Sequence, residues 1–500
     1  MKLGIAVGYL IVDRLLSLAG QIACQSFPPE FRFGVATSSY QIEGAWNKKI
    51  KGENIWDHLL HTRPEFVADR SNGDVACDSY HLWEQDLDLI AEMGVDFYRF
   101  SINWPRLLPN GFANKISADG RRYYGDLISG LRARGIAPVV TLYHWELPQS
   151  LQDLGGWANP LSVEWFADYA RVVFSLYADQ VDTWLTINEA IYVCEPSYRD
   201  IVAPGLVNEV GALLCSKYIL LAHAAAYRIY EEEFKPKYGG EVSIANHEFW
   251  FEPKTDEDLD ITVLARDYAF TRFSYPIYSA EGGWPPLLEA FMEEKSKSEG
   301  YPRSKLPAFT PEEIELVKGS YDFFGLNHYS SRTVRAALPG EEYGAFSADG
   351  FDEIGAILES RPEWASESGQ DWLTVHPEGI RNLLNRIKQQ YGDIKIMITE
   401  NGFTDLDGDL NDIGRIEYFE SYLEQVLLAI NGDKVNVVGY TAWSLLDNFE
   451  WTSGYQSHFG MHAVDFSDPR RPRTPKASAR YFKSVARARS LDVGNFTAAN

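Results

Sequence analysis

Eight short apolar runs alternate with amphipathic helical segments along this chain, and that alternation restricts its fold more than any other feature. Parallel strands need a long crossover connection, usually a helix, so the pattern predicts an α/β fold with a parallel sheet. The apolar runs lie at residues 31–44, 95–104, 137–145, 183–189, 241–249, 321–329, 395–400 and 437–444. The helical segments lie at 81–93, 118–134, 161–179, 210–233, 256–295, 377–390, 412–430 and 474–489.

A chain of this kind closes into a (β/α)8 barrel or forms an open, doubly wound sheet. The turn after the first run has no GxGxxG pattern, and the chain has no Walker motif. Barrels with insertions reach several hundred residues as one domain. We therefore predict a single (β/α)8 barrel over residues 27–490, preceded by a leader or extension at 1–26 and followed by a tail at 491–500.

Two of the runs end on a glutamate. The run at 183–189 ends on Glu189, and the run at 395–400 ends on Glu400, which the turn-forming pair Asn401-Gly402 follows. The carboxyl ends of barrel strands carry the chemistry of this fold. Two carboxylates meeting there are typical of glycoside hydrolysis. Taken alone, Glu400 could instead form a structural ion pair with an arginine.

Composition limits the partners of the chain. The net charge is −25 and the isoelectric point is near 4.8, so we expect neither a nucleic acid nor an anionic membrane as partner. No apolar run reaches the roughly 18 uninterrupted residues of a membrane span. Aromatic residues make up 14% of the chain, which fits carbohydrate stacking as well as an ordinary core.

The N-terminus has features of a secretory signal. Lys2 precedes an apolar run at 3–12, and Ser17-Leu18-Ala19 could form a cleavage site, although Asp13 and Arg14 interrupt the apolar region. We predict a signal peptide and a secreted protein. The alternative is an uncleaved extension on a cytoplasmic protein. A single glycosylation sequon begins at Asn495, and it favours neither location.

Four cysteines occur, and their spacing matches no metal-binding or redox pattern. They leave two possibilities open, which are unpaired thiols or one disulfide. Their positions are Cys24, Cys77, Cys194 and Cys215.

Seven motifs, in order, resemble those of glycoside hydrolase family 1, the β-glucosidase family, over residues 27–490. Several further segments look similar to arthropod members. The motifs are SSYQIEGAW (38–46), YRFSINW (98–104), TLYHWELPQ (141–149), INEA (187–190), NHY (327–329), ITENG (398–402) and WSLLDNFEW (443–451).

The resemblance implies a role for each matching residue. Glu400 is in the position of the nucleophile and Glu189 in that of the acid/base, so we expect Glu400 to stay ionised and the pKa of Glu189 to be raised. Arg99 and Tyr329 would orient Glu400, with Asn327 in support. The expected sugar-binding residues are Gln41, His144, Asn188, Tyr329, Trp443, Glu450 and Trp451. Each of these alone could be structural, whereas the seven motifs together favour the functional interpretation.

One residue departs from the family pattern. Ala190 stands where the acid/base motif usually has proline, which would stiffen the chain after Glu189. Its absence places the positioning of the acid in question. Glu450, aimed at the 4- and 6-hydroxyls, would repel a 6-phosphate, which argues against a phospho-glycosidase.

We therefore expect a retaining exo-β-glucosidase that takes small β-glucosides or oligosaccharides, with possible activity on β-galactosides or β-fucosides. The resemblance implies no metal and no organic cofactor. One alternative is a thioglucosidase acting on glucosinolates, with Arg332 and Arg335 facing a sulfated aglycone. Another is a non-catalytic sugar-binding protein. The sequence does not predict the oligomeric state.

Overall fold

Eight parallel strands close into a barrel in the computed structural model, which describes residues 26–493 apart from 49, 345–348, 367 and 406. Each strand pairs in parallel with its neighbours in sequence, and the eighth pairs with the first. The predicted (β/α)8 barrel is confirmed. Strands β1 to β8 are Arg32–Ala36, Phe97–Ser101, Ala137–Tyr143, Thr183–Asn188, Glu241–His247, Phe324–Asn327, Ile396–Asn401 and Val437–Trp443.

The strands are shorter than the apolar runs that predicted them. The first run ends as a strand at Ala36 and continues as a short helix, Ser39–Ile42, all four residues of which are buried. Residues past the strand ends are buried as deeply as the strands, so hydrophobicity alone does not mark where pairing stops. A small internal cluster fills the barrel below these ends and includes Phe97, Val139, Leu185, Ala245, Phe323 and Met397.

Helices cover the outside of the barrel. The helix after β1 ends at Gly94, whose φ of 66° supports the predicted glycine cap. The helical stretch predicted at 256–295 is broken into several pieces, with Pro286–Ser298 separated by the glycine- and proline-rich turn. The main helices are Ser79–Met93, Ala118–Ala133, Ser162–Tyr177, Glu209–Ile229, Leu259–Arg266, Arg272–Tyr278, Pro286–Ser298, Glu378–Tyr391, Ile413–Asn431 and Ala477–Ala488. Shorter helices are Ile55–Thr62, Trp104–Leu107, Gln149–Gln152, Ala190–Cys194 and Pro311–Val317.

A three-stranded sheet lies outside the barrel, formed by Trp250–Pro253, Ser331–Ala336 and Ala356–Glu359. The sequence predicted only irregular structure at 336–374. That prediction is wrong for Ala356–Glu359, which form a strand. This strand pairs with Ser331–Ala336, which follows β6, and Ser331–Ala336 pairs in turn with Trp250–Pro253, which follows β5.

One long helical run, Glu209–Tyr238, is apolar enough to cross a membrane by length and composition. In the fold, 78% of its most apolar window is buried. It packs against Ser162–Tyr177 and the barrel strands, as the core helix of a folded domain does.

Of the two possibilities for the cysteines, the structure contains the disulfide, between Cys194 and Cys215. It ties the helix Ala190–Cys194, which follows β4, to the long helix. Cys77 is a buried free thiol. Cys24, the predicted leader up to residue 25 and the sequon at 495–497 lie outside the described residues.

Candidate active site

The two strand-end glutamates share one cavity of 580 Å³ at the carboxyl end of the barrel. Glu400 lies within β7, and Glu189 directly follows β4. Both are buried, with 4% and 5% of their surfaces exposed. Closure of the barrel brings residues 211 positions apart to one opening, because parallel strands all end at the same rim.

Both oxygens of Glu400 are held by donors. Arg99 Nη1 donates to Oε1 at 2.7 Å, and the Tyr329 hydroxyl donates to Oε2 at 2.7 Å. Burial raises the pKa of Glu400 and the charge of Glu189 raises it further, whereas Arg99 and Tyr329 lower it. The sequence predicted a Glu400 that simply stays ionised. Burial and the neighbouring charge oppose this ionisation, and the two donors favour it.

Glu189 is held through one oxygen only. Its φ of 51° turns the chain out of β4 and into the cavity rim. Asn327 Nδ2 donates to Oε1 at 2.8 Å, and His247 Nδ1 lies 3.0 Å from the same atom. Among the described residues, none forms a hydrogen bond with Oε2. That oxygen is therefore available to exchange a proton with a ligand.

A buried network connects the two glutamates. Arg99 Nη2 donates to Asn188 Oδ1 at 2.6 Å, and Asn327 Nδ2 donates to the same oxygen at 3.1 Å. The Thr399 hydroxyl fixes Asn327 by donating to its Oδ1 at 2.6 Å. These bonds hold the end of β4 against β2, β6 and β7.

A second cluster lies where β1 and β8 end. Gln41 Nε2 donates to Asn448 Oδ1 at 2.9 Å, to the Phe449 carbonyl at 3.0 Å and to Glu450 Oε2 at 3.2 Å. Ser38 donates to Gln41 Oε1 at 2.6 Å, which fixes the amide. Burial raises the pKa of Glu450 to about 8, and the charges of Glu400 and Glu189 add to that rise. A ligand with several hydroxyls could bond to this cluster.

Aromatic rings line the same part of the cavity. The rings of His144 and Trp443 lie 5.8 Å apart and nearly parallel, and Trp145 packs on Trp451 at 4.6 Å. Burial, together with Arg99, lowers the pKa of His144 well below its ordinary value, so the imidazole is neutral. Its buried Nδ1 has no hydrogen-bond partner within the described part of the chain.

The structure brings all eleven predicted site residues together. Seven line the cavity, namely His144, Glu189, Tyr329, Glu400, Trp443, Glu450 and Trp451. The other four contact these from behind or connect them, namely Gln41, Arg99, Asn188 and Asn327. The lining residues that the sequence interpretation missed include Trp145, Tyr192, His247, Asp349 and Trp372.

The two arginines suggested for a sulfated aglycone do not line the cavity. Arg332 is 1% exposed, and its guanidinium donates to Thr374 and to the carbonyls of Asp371 and Trp372. Arg335 pairs with Glu341 and Glu359. The expectation that they face the aglycone is therefore wrong. Both side chains bind residues of the segment that follows β6, Arg332 at positions 371–374 and Arg335 at positions 341 and 359.

Ala190, the departure from the family pattern, begins the helix Ala190–Cys194 and is buried. The helix is held at its other end by the disulfide from Cys194. Among the described residues, no group of three or more His, Cys, Asp or Glu side chains is placed to hold a metal ion.

Comparison with known proteins places the chain. The model of glycosyl hydrolase family 1 matches residues 23–491. Myrosinase 1 of Brevicoryne brassicae is 46% identical over 464 residues, which cover 92% of this chain and 98% of that protein. Cytosolic beta-glucosidase of Homo sapiens is 38% identical over 93% of this chain and 99% of its own length. The structure of an aphid myrosinase superposes with a TM-score of 0.89 at 44% identity, covering 93% of this chain and all of that one.

Proposed function

Since the chain belongs to glycosyl hydrolase family 1, we propose that it is a retaining β-glucosidase that releases terminal non-reducing β-D-glucosyl residues. One observation carries the proposal. Two buried carboxylates share a cavity, and Glu400 is held on both oxygens while Glu189 keeps one oxygen free.

Those contacts suit the two carboxylates to different steps. Glu400 attacks the anomeric carbon with its electron pair as Glu189 gives its proton to the glycosidic oxygen. The bond between the anomeric carbon and that oxygen breaks, and the aglycone leaves as an alcohol. A glucosyl ester on Glu400 results, with inverted configuration. The guanidinium of Arg99 and the hydroxyl of Tyr329 favour the charged form of Glu400, which suits this carboxylate to the attack.

The second step reverses the roles. Formation of the ester removes the negative charge of Glu400, and Glu189 is then ionised. It takes a proton from a water molecule, whose oxygen attacks the anomeric carbon and displaces Glu400. Two inversions restore the β configuration. Retaining enzymes hold the two carboxyls about 5–5.5 Å apart for this purpose.

The second cluster suits the glucose itself. Glu450 offers its carboxyl group to sugar hydroxyls beside the neutral imidazole of His144, and Gln41 donates to Glu450 from outside the cavity lining. Asn188 would contact the 2-hydroxyl, and the indole of Trp443 offers a flat apolar face. Among the described residues, no lysine or arginine lines the cavity to bind a 6-phosphate, so we expect the free sugar as substrate.

Hydrolysis of nitrophenyl β-glycosides tests the proposal directly. We expect the wild type to release nitrophenol from the β-glucoside, with weaker activity on the β-galactoside and β-fucoside, and Glu400→Gln to lose at least about 1,000-fold in kcat. Glu424→Gln is the matched control, because this exposed glutamate lies on the outer helix Ile413–Asn431. Binding of glucosides without turnover by the wild type would support a sugar-binding protein instead.

Azide rescue assigns the two roles. In Glu189→Ala, azide should enter from the face that water uses and give β-glucosyl azide. With 2,4-dinitrophenyl β-D-glucoside as substrate, azide should attack the anomeric carbon of the sugar in Glu400→Ala from the face that Glu400 would use. It should displace dinitrophenolate and give α-glucosyl azide. The reverse stereochemistry, or the same anomer from both variants, would contradict the assignment.

Thioglucosidase activity is the second candidate, because of the identity with Myrosinase 1. Hydrolysis of sinigrin beside p-nitrophenyl β-D-glucoside separates the two. A kcat/KM for sinigrin that exceeds that for the nitrophenyl glucoside would favour the thioglucosidase.

We further propose that the protein is secreted after removal of a signal peptide that lies within residues 1–26. The disulfide Cys194–Cys215 supports this location, since such bonds persist mainly in oxidising compartments. N-terminal sequencing of the protein expressed in insect cells tests it. An intact N-terminus on protein retained in the cytosol would contradict it.

A further inference from the structure

Acidic residues line the cavity that holds Glu189 and Glu400, and no described lysine or arginine does. Five of its lining residues are acidic, and none is lysine or arginine. They are Glu189, Asp349, Asp371, Glu400 and Glu450. The proposed function uses Glu189, Glu400 and Glu450, which leaves Asp349 and Asp371 without a role.

Those two residues belong to the outer half of the cavity, built by the segments that follow β4, β5 and β6. Tyr192, Phe249 and Trp372 form aromatic walls there. The glucose-binding cluster lies at the ends of β1, β3 and β8, so the aglycone must extend into this outer half. Aromatic walls favour a flat apolar group.

Asp349 faces that space without a partner. It forms no hydrogen bond and no ion pair with any described residue, although its side chain is partly buried. Burial raises its pKa to about 7, against the lowering effect of His247 and two arginines. Because no described residue bonds to this carboxyl, it can accept a hydrogen bond from a donor on a ligand in the cavity.

The backbone beside Asp349 is fixed in place. Gly350 has a φ of 84°, which favours glycine, and a side chain at this position would lie 2.7 Å from Glu195 Oε2. The close approach to Glu195 and Tyr268 anchors the turn that presents Asp349.

The nearest arginines are already occupied. Arg332 donates to backbone carbonyls and to Thr374, and Arg199 pairs with Glu195 and Asp352. Residues 345–348, beside Asp349 in the chain, are Ala, Phe, Ser and Ala and include no basic residue. Among the described residues, no lysine or arginine therefore lines the cavity to receive a sulfate or carboxylate on the aglycone, and the basic side chains that do line it are those of His144 and His247.

We infer that the aglycone site selects aromatic β-glucosides that bear a hydrogen-bond donor and no negative charge, with Asp349 as the acceptor that determines this choice. The inference rests on the proposed β-glucosidase function. A hydroxyl or amino group on the aglycone donates to the Asp349 carboxylate. An anionic group meets Asp349 and Asp371 where no described lysine or arginine lines the cavity, so sulfated aglycones such as those of glucosinolates are disfavoured.

Two glucosides of matched size test the inference, p-hydroxyphenyl and p-carboxyphenyl β-D-glucopyranoside, with glucose release as the readout. We expect wild-type kcat/KM to favour the hydroxyphenyl compound by about 100-fold. Asp349→Asn should reduce that preference by roughly tenfold or more. For each substrate, the ratio of kcat/KM in the variant to kcat/KM in the wild type is compared. The intrinsic reactivity of the leaving group cancels in this ratio. Asp349→Ser serves as a second variant should the first fail to fold.

Asp352→Asn is the matched control. It removes the same charge three residues away, but its side chain pairs with Arg199 and does not line the cavity. The substrate preference should stay as in the wild type. Equal turnover of the two glucosides by the wild type, or an unchanged preference in both Asp349 variants, would overturn the inference while leaving the β-glucosidase function intact. No turnover of any glucoside would refute that function and this inference with it.

Discussion

Removing the Tyr329 hydroxyl should raise the pKa of Glu400. That hydroxyl donates to Glu400 Oε2 at 2.7 Å and lowers the pKa of the carboxyl, in opposition to burial. A hydrogen bond to a charged group contributes roughly 1.5–3 kcal/mol. One pKa unit corresponds to about 1.4 kcal/mol, so Tyr329→Phe should raise the pKa by about 1–2 units. Arg99 remains to hold Oε1.

The pH dependence of kcat/KM measures this change. The fall of kcat/KM on the acidic side of its optimum, the acid limb, reports the ionisation of Glu400, the proposed nucleophile, in the free enzyme. A higher pKa means that the carboxylate forms only at higher pH, so the acid limb should move to higher pH by about 1–2 units. We expect kcat at the optimum to fall as well, because one oxygen of Glu400 loses its orienting donor.

Tyr192→Phe is the matched control for Tyr329→Phe. Its hydroxyl also lies at the cavity, 3.5 Å from His247 Nε2, but makes no hydrogen bond to Glu400. The acid limb should therefore stay where it is in the wild type. An acid limb that does not move in Tyr329→Phe, or moves equally in Tyr192→Phe, would refute the argument that this hydrogen bond sets the ionisation of Glu400.

Three further predictions concern stability. Burial raises the pKa of Glu146 to about 8 from its ordinary value near 4.5, so the native state holds this proton more tightly than the unfolded chain. The free energy of unfolding should then fall by up to about 1.4 kcal/mol per pH unit between those values, a slope that urea titrations should find reduced in Glu146→Gln. Replacing Cys194 and Cys215 by serine should cost about 3 kcal/mol in urea unfolding, since the disulfide closes a loop of 21 residues. Ala190→Pro should stabilise the protein by about 0.5 kcal/mol in thermal unfolding, since Ala190 is the first residue of its helix; a loss of stability would show that proline strains Glu189.

The chemistry of the site was predictable because the barrel imposes it. Every parallel strand ends at the same rim, so a glutamate that ends a strand must face the common opening or lie at its edge. That rule and the count of strands bring Glu189 and Glu400 to one rim, whereas their separate roles are what the resemblance to family 1 implies. The bonds from Arg99 and Tyr329 to Glu400 were expected from the resemblance to family 1 and not from this rule, and the structure contains both.

His247 shows where strand-end reasoning loses resolution. The predicted strand ran from 241 to 249 and included both His247 and Glu248. In the structure His247 contacts Glu189, whereas Glu248 pairs with Arg386. Which of two adjacent polar residues faces the opening depends on where the strand stops, and a shift of one residue reverses every side chain. Hydrophobicity did not determine that boundary here, because the residues beyond it are also buried.

Selectivity was harder to predict than chemistry, for a physical reason. Asp349 lies more than twenty residues beyond β6, in a segment whose sequence suggested only irregular structure. Arg332 lies just after that strand and was expected at the cavity, yet its guanidinium is bound to backbone carbonyls. The direction of a side chain on a connecting segment is set by long-range contacts, which no local pattern records. The meeting of Glu189 and Glu400 follows from the barrel, whereas the side chains of the outer cavity follow from the connections between its strands and helices. The sequence therefore supports the proposed reaction more strongly than it supports any particular aglycone.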